Sequence, residues 1–354
     1  MKVITFVLPQ YPLHISGGYK IAFSYANKLV KDGYKVNIVF FNDGAPHFLH
    51  IPTFFKNFIM NELTKKKIKW YPLDSRIHCI SSTNRIKMSK AIKGTNIVIA
   101  TAAITVDMVL KKFKNSKKIY LIQGFEEWDM TPRQLYKTYN AGLINVVISN
   151  WLKNIVSKHT NKIPIYIRNP IDTKIYKITK DIRHRDPCTI GMLYHLAPYK
   201  GVRYSLLALK KVRKKYPNLE VIMFGSAKRP KHLPKWITYY KNVTADEAVE
   251  IYNAVSIFVC GSVKEGFGLT GLEAMACGDA LVSTNYLGVR EYAVNKMNAL
   301  LSPVKDINKL ANNIIYLIEN KKERVRIAEK GNKDAQLFSW ENAYAKFKDI
   351  IEKL

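Results

Sequence analysis

Short apolar runs alternate with amphipathic stretches along almost the whole chain. Lys2–Leu8 (K-V-I-T-F-V-L) is the first run. Gly17 and Gly18 follow, and then apolar positions at Ile21, Ala22, Tyr25, Ala26, Leu29 and Val30, the spacing of one helix face. Gly33 ends that helix and Val36–Phe41 is the next run, so the opening predicts strand, glycine turn, helix and strand. Ile97–Ala100, Lys118–Gln123 and Asn145–Ser149 read as further buried strands. The pattern resumes with runs at Thr189–Leu193, Leu219–Phe224, Ile237–Val243, Ala254–Cys260 and Gly278–Thr284. Between them lie amphipathic stretches at Gly201–Tyr216, Asp246–Ala254 with a cap near Thr244, and Thr270–Ala276. Ile307–Ile327 and Trp340–Leu354 read as helices. Alternating strands and helices predict an α/β chain, and 354 residues are too many for one compact core, so two domains are expected.

Chemistry concentrates in one stretch, Gly261–Gly278 (G-S-V-K-E-G-F-G-L-T-G-L-E-A-M-A-C-G). A buried strand runs into a glycine-bearing turn and then into a helix. That order leaves backbone N–H groups and the positive end of the helix dipole facing an anion, and glycine lets its oxygens come close. Gly266, Phe267, Gly268, Leu269 and Thr270 form this expected cradle. Glu265 and Glu273 flank it. A carboxylate repels phosphate, so their expected targets are hydroxyl groups of a ribose or a sugar. The plain alternative is a buried strand–helix unit carrying two solvated glutamates.

Glu265 and Glu273 form the Glu-x7-Glu pattern of retaining nucleotide-sugar glycosyltransferases, with E-G-F-G and A-x-A-C-G in the same register. The chain thus resembles glycosyltransferase family four, strongly over residues 189–292 and weakly elsewhere. The resemblance implies a GT-B fold: two Rossmann-like domains facing a cleft, with the C-terminal helix crossing back to the first. It divides the chain into an acceptor-side domain of residues 1–172 plus 340–354, a polar linker at 173–187, and a nucleotide-sugar domain at 188–339. It further implies that Lys200, just before Gly201, clamps the donor's diphosphate with help from His195, which stands where the family has arginine. Glu273 would bind the ribose hydroxyls and Glu265 a hydroxyl of the donor sugar. Asn242 and Val243 would meet the base, and Gly17 and Gly18 would approach the diphosphate and the acceptor, with a plain tight turn as the alternative. Gln123 and Glu126, in a loop where the family often carries histidine, would face the acceptor. The family needs no metal or other cofactor, and no Asp-x-Asp triplet occurs here. The loop at Gln123, Asn169-Pro170-Ile171-Asp172 and Tyr194-His195 lean towards a subset that handles rhamnose or similar sugars.

Composition adds partners. The net charge of +30 calls for polyanions: phosphorylated substrates, anionic lipid or nucleic acid. Residues 1–170 hold 26 Lys and Arg against 8 Asp and Glu, so the first half is the more basic, although a Lys- and Ile-rich genome would leave the same bias. Phe54, Phe55, Phe58, Ile59 and Leu63 precede Lys65, Lys66, Lys67, Lys69, Trp70 and Tyr71, the composition of a helix at a membrane interface or of a core helix with a basic end. Lys111–Lys118 adds a second basic patch. No run of about 18 apolar residues occurs, and Met1–Leu8 followed by Pro9 reads as a strand and not a signal peptide. Cys79, Cys188, Cys260 and Cys277 are scattered, as reduced core residues of a cytosolic protein are. The expectation is a cytoplasmic glycosyltransferase, peripheral on the inner face of the membrane, acting on a saccharide or lipid-linked acceptor in polysaccharide or glycoconjugate synthesis. A nucleotide-sugar epimerase of the same architecture would turn over the donor alone. A nucleic-acid binder would interleave aromatic and basic residues on one face, and no such module is found.

Overall fold

The structure, a computed structural model, describes residues 1–41, 53–64, 68, 70–82, 92, 94–127 and 130–354. The expectations attached to the Phe54 side chain and to Lys65, Lys66, Lys67 and Lys69 lie outside the described residues. The chain divides into two compact units, Met1–Arg168 with Ala343–Leu354, and Asn169–Asn342.

The first unit contains β1 (Val3–Leu8), α1 (Gly17–Lys31), β2 (Lys35–Phe41), α2 (Thr53–Thr64), β3 (His78–Ser82), β4 (Ile97–Ala100), α3 (Ala103–Lys112), β5 (Lys117–Ile122), α4 (Pro132–Tyr139), β6 (Ile144–Val147), α5 (Asn150–Ser157) and β7 (Ile165–Tyr166). The strands form one sheet in the order β3-β2-β1-β4-β5-β6-β7, all parallel. Parallel strands need crossovers, and the amphipathic stretches supply them. Both faces of such a sheet are covered, which is why β4 is apolar and buried at every position. Helix α2 is different: Phe55, Phe58 and Ile59 are 57%, 59% and 41% exposed, so this face does not pack into the unit's core.

The second unit contains β8 (Thr189–Tyr194), α6 (Val202–Lys215), β9 (Glu220–Gly225), β10 (Ile237–Lys241), α7 (Ala245–Ala254), β11 (Ile257–Cys260), α8 (Leu269–Ala276), β12 (Ala280–Thr284), β13 (Ala299–Ser302), α9 (Ile307–Glu319) and α10 (Lys321–Ala335). Its parallel sheet runs β10-β9-β8-β11-β12-β13. Ile190, Met192, Val221, Val259 and Val282 on the sheet meet Leu209, Val212, Leu310 and Ile314 on the helices to make the core. Thr244 caps α7 as its sequence indicates: its hydroxyl accepts from the Glu247 N–H at 3.2 Å, and the Glu247 carboxylate accepts from the Thr244 N–H at 2.6 Å. The last helix, α11 (Trp340–Glu352), carries the chain back. From Ala343 on it belongs to the first unit. There Phe347 packs on Tyr25 at 4.2 Å, and Lys348 pairs with Asp32 at 2.6 Å.

Three readings of the sequence need correction. Ala254 ends α7, and β11 starts only at Ile257. The helix expected over Ile307–Ile327 is two helices broken at Asn320. The Asn320 side chain turns back to donate to the Tyr316 carbonyl, and the Arg324 guanidinium satisfies the Leu317 carbonyl, so the freed acceptors of α9 are covered. Residues 173–187, polar enough to read as a linker, lie within the second unit. Arg185 fastens them: its fully buried guanidinium pairs with Asp279 at 3.0 Å and donates to the carbonyls of Lys180, Tyr252, Val255 and Cys277 and to the Asn253 side chain.

Candidate functional site

In an open parallel sheet, ligands gather outside the carboxyl ends of the strands where the strand order reverses. In the second unit that point lies between β8 and β11. Lys200 follows β8 and Glu265 follows β11. A close backbone approach brings them together: Gly201 has φ of +59°, and a Cβ there would lie 1.8 Å from the Gly261 carbonyl oxygen. The N–H of Val263 donates to the Tyr199 carbonyl at 2.8 Å and draws the two loops together. Lys200 Nζ then donates to Glu265 Oε2 at 2.7 Å, with the two side chains 22% and 8% exposed.

This ion pair sets the local electrostatics. Burial alone would lower the Lys200 pKa, but the attraction of Glu265 outweighs it and the net shift is upward. Lys200 is therefore a cation throughout the neutral range. An ammonium has three donors, so it can keep Glu265 and still reach a second anion. The other oxygen of Glu265, Oε1, accepts from the Ser262 hydroxyl. The Thr284 hydroxyl at the end of β12 donates in turn to the Ser262 carbonyl. Glu265 is thus fixed by two donors before any ligand arrives.

His195 behaves otherwise. Its pKa is lowered, first by burial and then by the neighbouring Lys200 charge, with Glu265 opposing. The Ala197 N–H donates to its Nδ1 at 3.0 Å, which leaves the proton on Nε2. His195, which stands where the family has arginine, thus brings a hydrogen-bond donor without a fixed charge.

The turn and helix form as the glycines indicate. Gly268, at φ +94°, precedes α8 as its N-cap. The first N–H groups of α8 have no intrahelical acceptor and carry the positive end of the dipole. Gly266, Leu269 and Thr270 are half-buried, while the Phe267 ring is buried against Tyr292 and Phe338. Phe267 therefore offers its backbone and not its side chain. Glu273, one turn into α8, is 7% exposed and accepts from the Tyr252 hydroxyl at 3.2 Å. Asn242, just beyond β10, holds φ of +56° while its N–H donates to the Gly225 carbonyl. It is exposed and Val243 half-buried.

In the first unit the order reverses between β1 and β4. Gly17 and Gly18 open α1, and a Cβ on Gly18 would lie 3.3 Å from Gln123 Nε2. Gln123 Oε1 is buried and has no hydrogen-bond partner among the described residues. Glu126 is 5% exposed, and its Oε2 accepts from the Ala103 N–H at 2.7 Å. Ala102, the N-cap of α3, has no side-chain oxygen, so a glutamate from another loop caps the helix instead. Glu126 thus holds the loop rather than waiting free for an acceptor.

Sequence reasoning missed Ser262, Tyr252 and the Arg185–Asp279 pair. Ser262 sits inside the quoted stretch but looks like any loop serine. Tyr252 looks like a core residue of an amphipathic helix. In the sequence Arg185 is one more basic residue in a polar stretch.

Comparison with known proteins fits this geometry. Residues 177–334 match the family model described as "Glycosyl transferases group 1". An uncharacterised glycosyltransferase of Methanocaldococcus jannaschii is 25% identical over 230 residues, 62% of this chain and 62% of its own length. The chain therefore matches about six tenths of the length of that relative. The N,N'-diacetylbacillosaminyl-diphospho-undecaprenol alpha-1,3-N-acetylgalactosaminyltransferase of Campylobacter jejuni is 36% identical over 89 residues, 25% of this chain and 24% of its own. Among solved structures, Anabaena HepE in complex with UDP-glucose superposes with a TM-score of 0.77 at 15% identity, covering 100% of both chains. Residues 177–334, within the second unit, thus carry a domain of the group 1 glycosyltransferases, and the two parallel-sheet units have the GT-B type of fold.

Proposed function

We propose that the chain transfers a sugar from a nucleoside-diphosphate donor to a hydroxyl of a saccharide or lipid-linked acceptor, in the synthesis of a cell-surface polysaccharide or glycoconjugate. The observation that carries this reading is the Lys200–Glu265 pair at the second switch point, beside the open N-terminus of α8. A cation and unpaired N–H groups suit a leaving diphosphate, and a fixed carboxylate suits a sugar hydroxyl. Lys200 and the N–H groups of Leu269 and Thr270 would neutralise the diphosphate, with His195 donating from Nε2. Glu273 would take the ribose hydroxyls and Glu265 a hydroxyl of the sugar, with Asn242 and Val243 near the base. In the first unit, Gln123 beside Gly18 would offer its unpartnered oxygen to the acceptor hydroxyl, on a loop held by Glu126.

In the reaction, the bond between the anomeric carbon and the diphosphate oxygen breaks, and its electron pair leaves with the diphosphate. The acceptor oxygen bonds to the same carbon. We read the chain as a retaining, family-four-type enzyme, in which a diphosphate oxygen on the attacked face takes the acceptor's proton. Charge neutralisation is assigned to Lys200 and the backbone, so turnover should persist in the presence of a chelator.

The relatives named above are glycosyltransferases, which favours transfer over epimerisation. The name of the Campylobacter enzyme contains a diphospho-undecaprenol, and an acceptor of that class suits the basic first half of this chain. Among the described residues no helix is long and apolar enough to cross a membrane. The exposed Phe55, Phe58 and Ile59 of α2 give instead a face that could enter the headgroup region of an anionic, cytoplasmic leaflet.

Thermal-shift screening of nucleotide sugars, rhamnose donors included, tests the reading. A specific donor stabilises the folded chain by mass action, and incubation with that donor and an acceptor should yield a glycosylated product. Turnover of the donor alone into an epimer would replace transfer with the epimerase reading.

A further inference from the structure

Two tyrosines that have no part in the proposed chemistry lie directly beneath the anion cradle. The Tyr292 hydroxyl donates to the Gly268 carbonyl at 2.7 Å. The same carbonyl accepts from the Gly271 N–H at 3.2 Å. Tyr292 has spent its proton on Gly268, so in the 3.0 Å contact between the two hydroxyls Tyr286 is the donor and Tyr292 the acceptor. Tyr286 is 1% and Tyr292 4% exposed. Burial raises the pKa of each phenol well above its ordinary value, so both remain protonated donors. The fit leaves no room above them. A Cβ on Gly268 would lie 2.0 Å from the Tyr286 hydroxyl, and one on Gly271 would lie 2.6 Å from that of Tyr292.

The peptide joining Gly268 to Leu269 is planar, and its C=O and N–H point in opposite directions. Whatever fixes the Gly268 carbonyl therefore fixes the Leu269 N–H. With the carbonyl turned towards the tyrosines, that N–H faces away from them, to the side where α8 begins. Rotation of this peptide would present a carbonyl to the ligand instead, and a carbonyl repels phosphate. We propose that Tyr286 and Tyr292 are positioning residues for the diphosphate: a buried hydroxyl relay that holds the Gly268 carbonyl inward and so keeps the first N–H groups of α8 aimed at the anion. This proposal rests on the donor reading above. It adds to it a specificity for the phosphates rather than for the base or the sugar.

Calorimetry on the full chain tests this. UDP, GDP, ADP and dTDP are titrated first, and for the one that binds, its parent nucleoside is measured by competition. Tyr292→Phe should weaken the diphosphate about fivefold, the loss of one neutral hydrogen bond, and leave the nucleoside unchanged. Tyr286→Phe should shift the same ratio by less. A folded Tyr292→Phe variant that binds the diphosphate as the parent chain does, or that loses nucleoside and diphosphate equally, overturns the relay and leaves the donor reading standing. If Tyr292→Phe does not fold, Tyr286→Phe decides: a selective loss of diphosphate supports the relay, and its absence overturns it. If no diphosphate binds the parent chain, the donor reading falls and the relay with it.

Discussion

The two units are variations on one plan that have been put to unequal use. Each is a parallel sheet that starts at its third strand, runs through the second to the first, and then continues outward on the other side with the fourth. Each therefore has a crevice at the carboxyl ends of its first and fourth strands. In the second unit that crevice holds an ion pair, a fixed carboxylate, an open helix terminus and a buried glutamate. In the first it holds a glycine pair, an amide oxygen without a partner among the described residues, and a glutamate already engaged at a helix cap. Topology provides the place in both, and only the side chains at the strand ends decide whether it carries charge. The second crevice sets a cation beside its carboxylate, whereas the carboxylate of the first is taken up by the backbone of a helix end.

The largest effect that would sharpen the contrast is one of stability. The second unit encloses Arg185 and Asp279 completely, whereas Lys348 and Asp32 in the first pair at 35% and 30% exposure. Arg185→Ala should lose about 3–5 kcal/mol in denaturant unfolding, because Asp279 is left buried and uncompensated. Lys348→Ala should stay within about 1 kcal/mol. Equal losses would mean that the two units bury charge alike.

Next in size is turnover. Lys200→Ala should lower kcat/KM at least about a hundredfold, since the cation acts on charge that grows in the transition state. Gln123→Ala should lower it by only about tenfold, as a neutral hydrogen bond to the acceptor is removed. Steady-state kinetics with both substrates varied would separate them, and the reverse order would exchange the roles assigned to the two crevices.

The smallest expected effect is a pH dependence confined to the second unit. The folded pKa of His195 lies below the ordinary 6.5. Its contribution to stability is thus fully present above pH 6.5 and declines as pH falls from there through the lowered folded value, where the folded chain also takes up the proton. His195→Asn should flatten that part of the stability profile in an acid titration followed by circular dichroism.

Much of this architecture could be read from local pattern. Apolar runs such as I-V-I-A at Ile97–Ala100 mark buried parallel strands, because both their faces are covered. The Gly268 turn and the Thr244 cap were legible for the same reason: each is a property of four or five consecutive residues. What escaped depends on contacts between distant segments. Lys200 and Glu265 could be picked out singly, but their pairing comes from the meeting of Gly201 with Gly261. The burial of Arg185 depends on Asp279, 94 residues away. Tyr286 and Tyr292 show no sequence signal beyond aromatic character, and their role appears only once the Gly268 carbonyl is found between them and α8. The break at Asn320 was hidden because apolar positions continue on either side of it.

Under the proposed function, the crevice of the second unit would grip an activated carbohydrate by its diphosphate. A crystal structure of the chain with the tightest-binding nucleoside diphosphate tests this most directly. Phosphate oxygens should lie within hydrogen-bonding distance of Lys200 Nζ and of the Leu269 and Thr270 N–H groups, with Glu273 against the ribose. A nucleotide bound elsewhere, with Lys200 still paired only to Glu265, would contradict it.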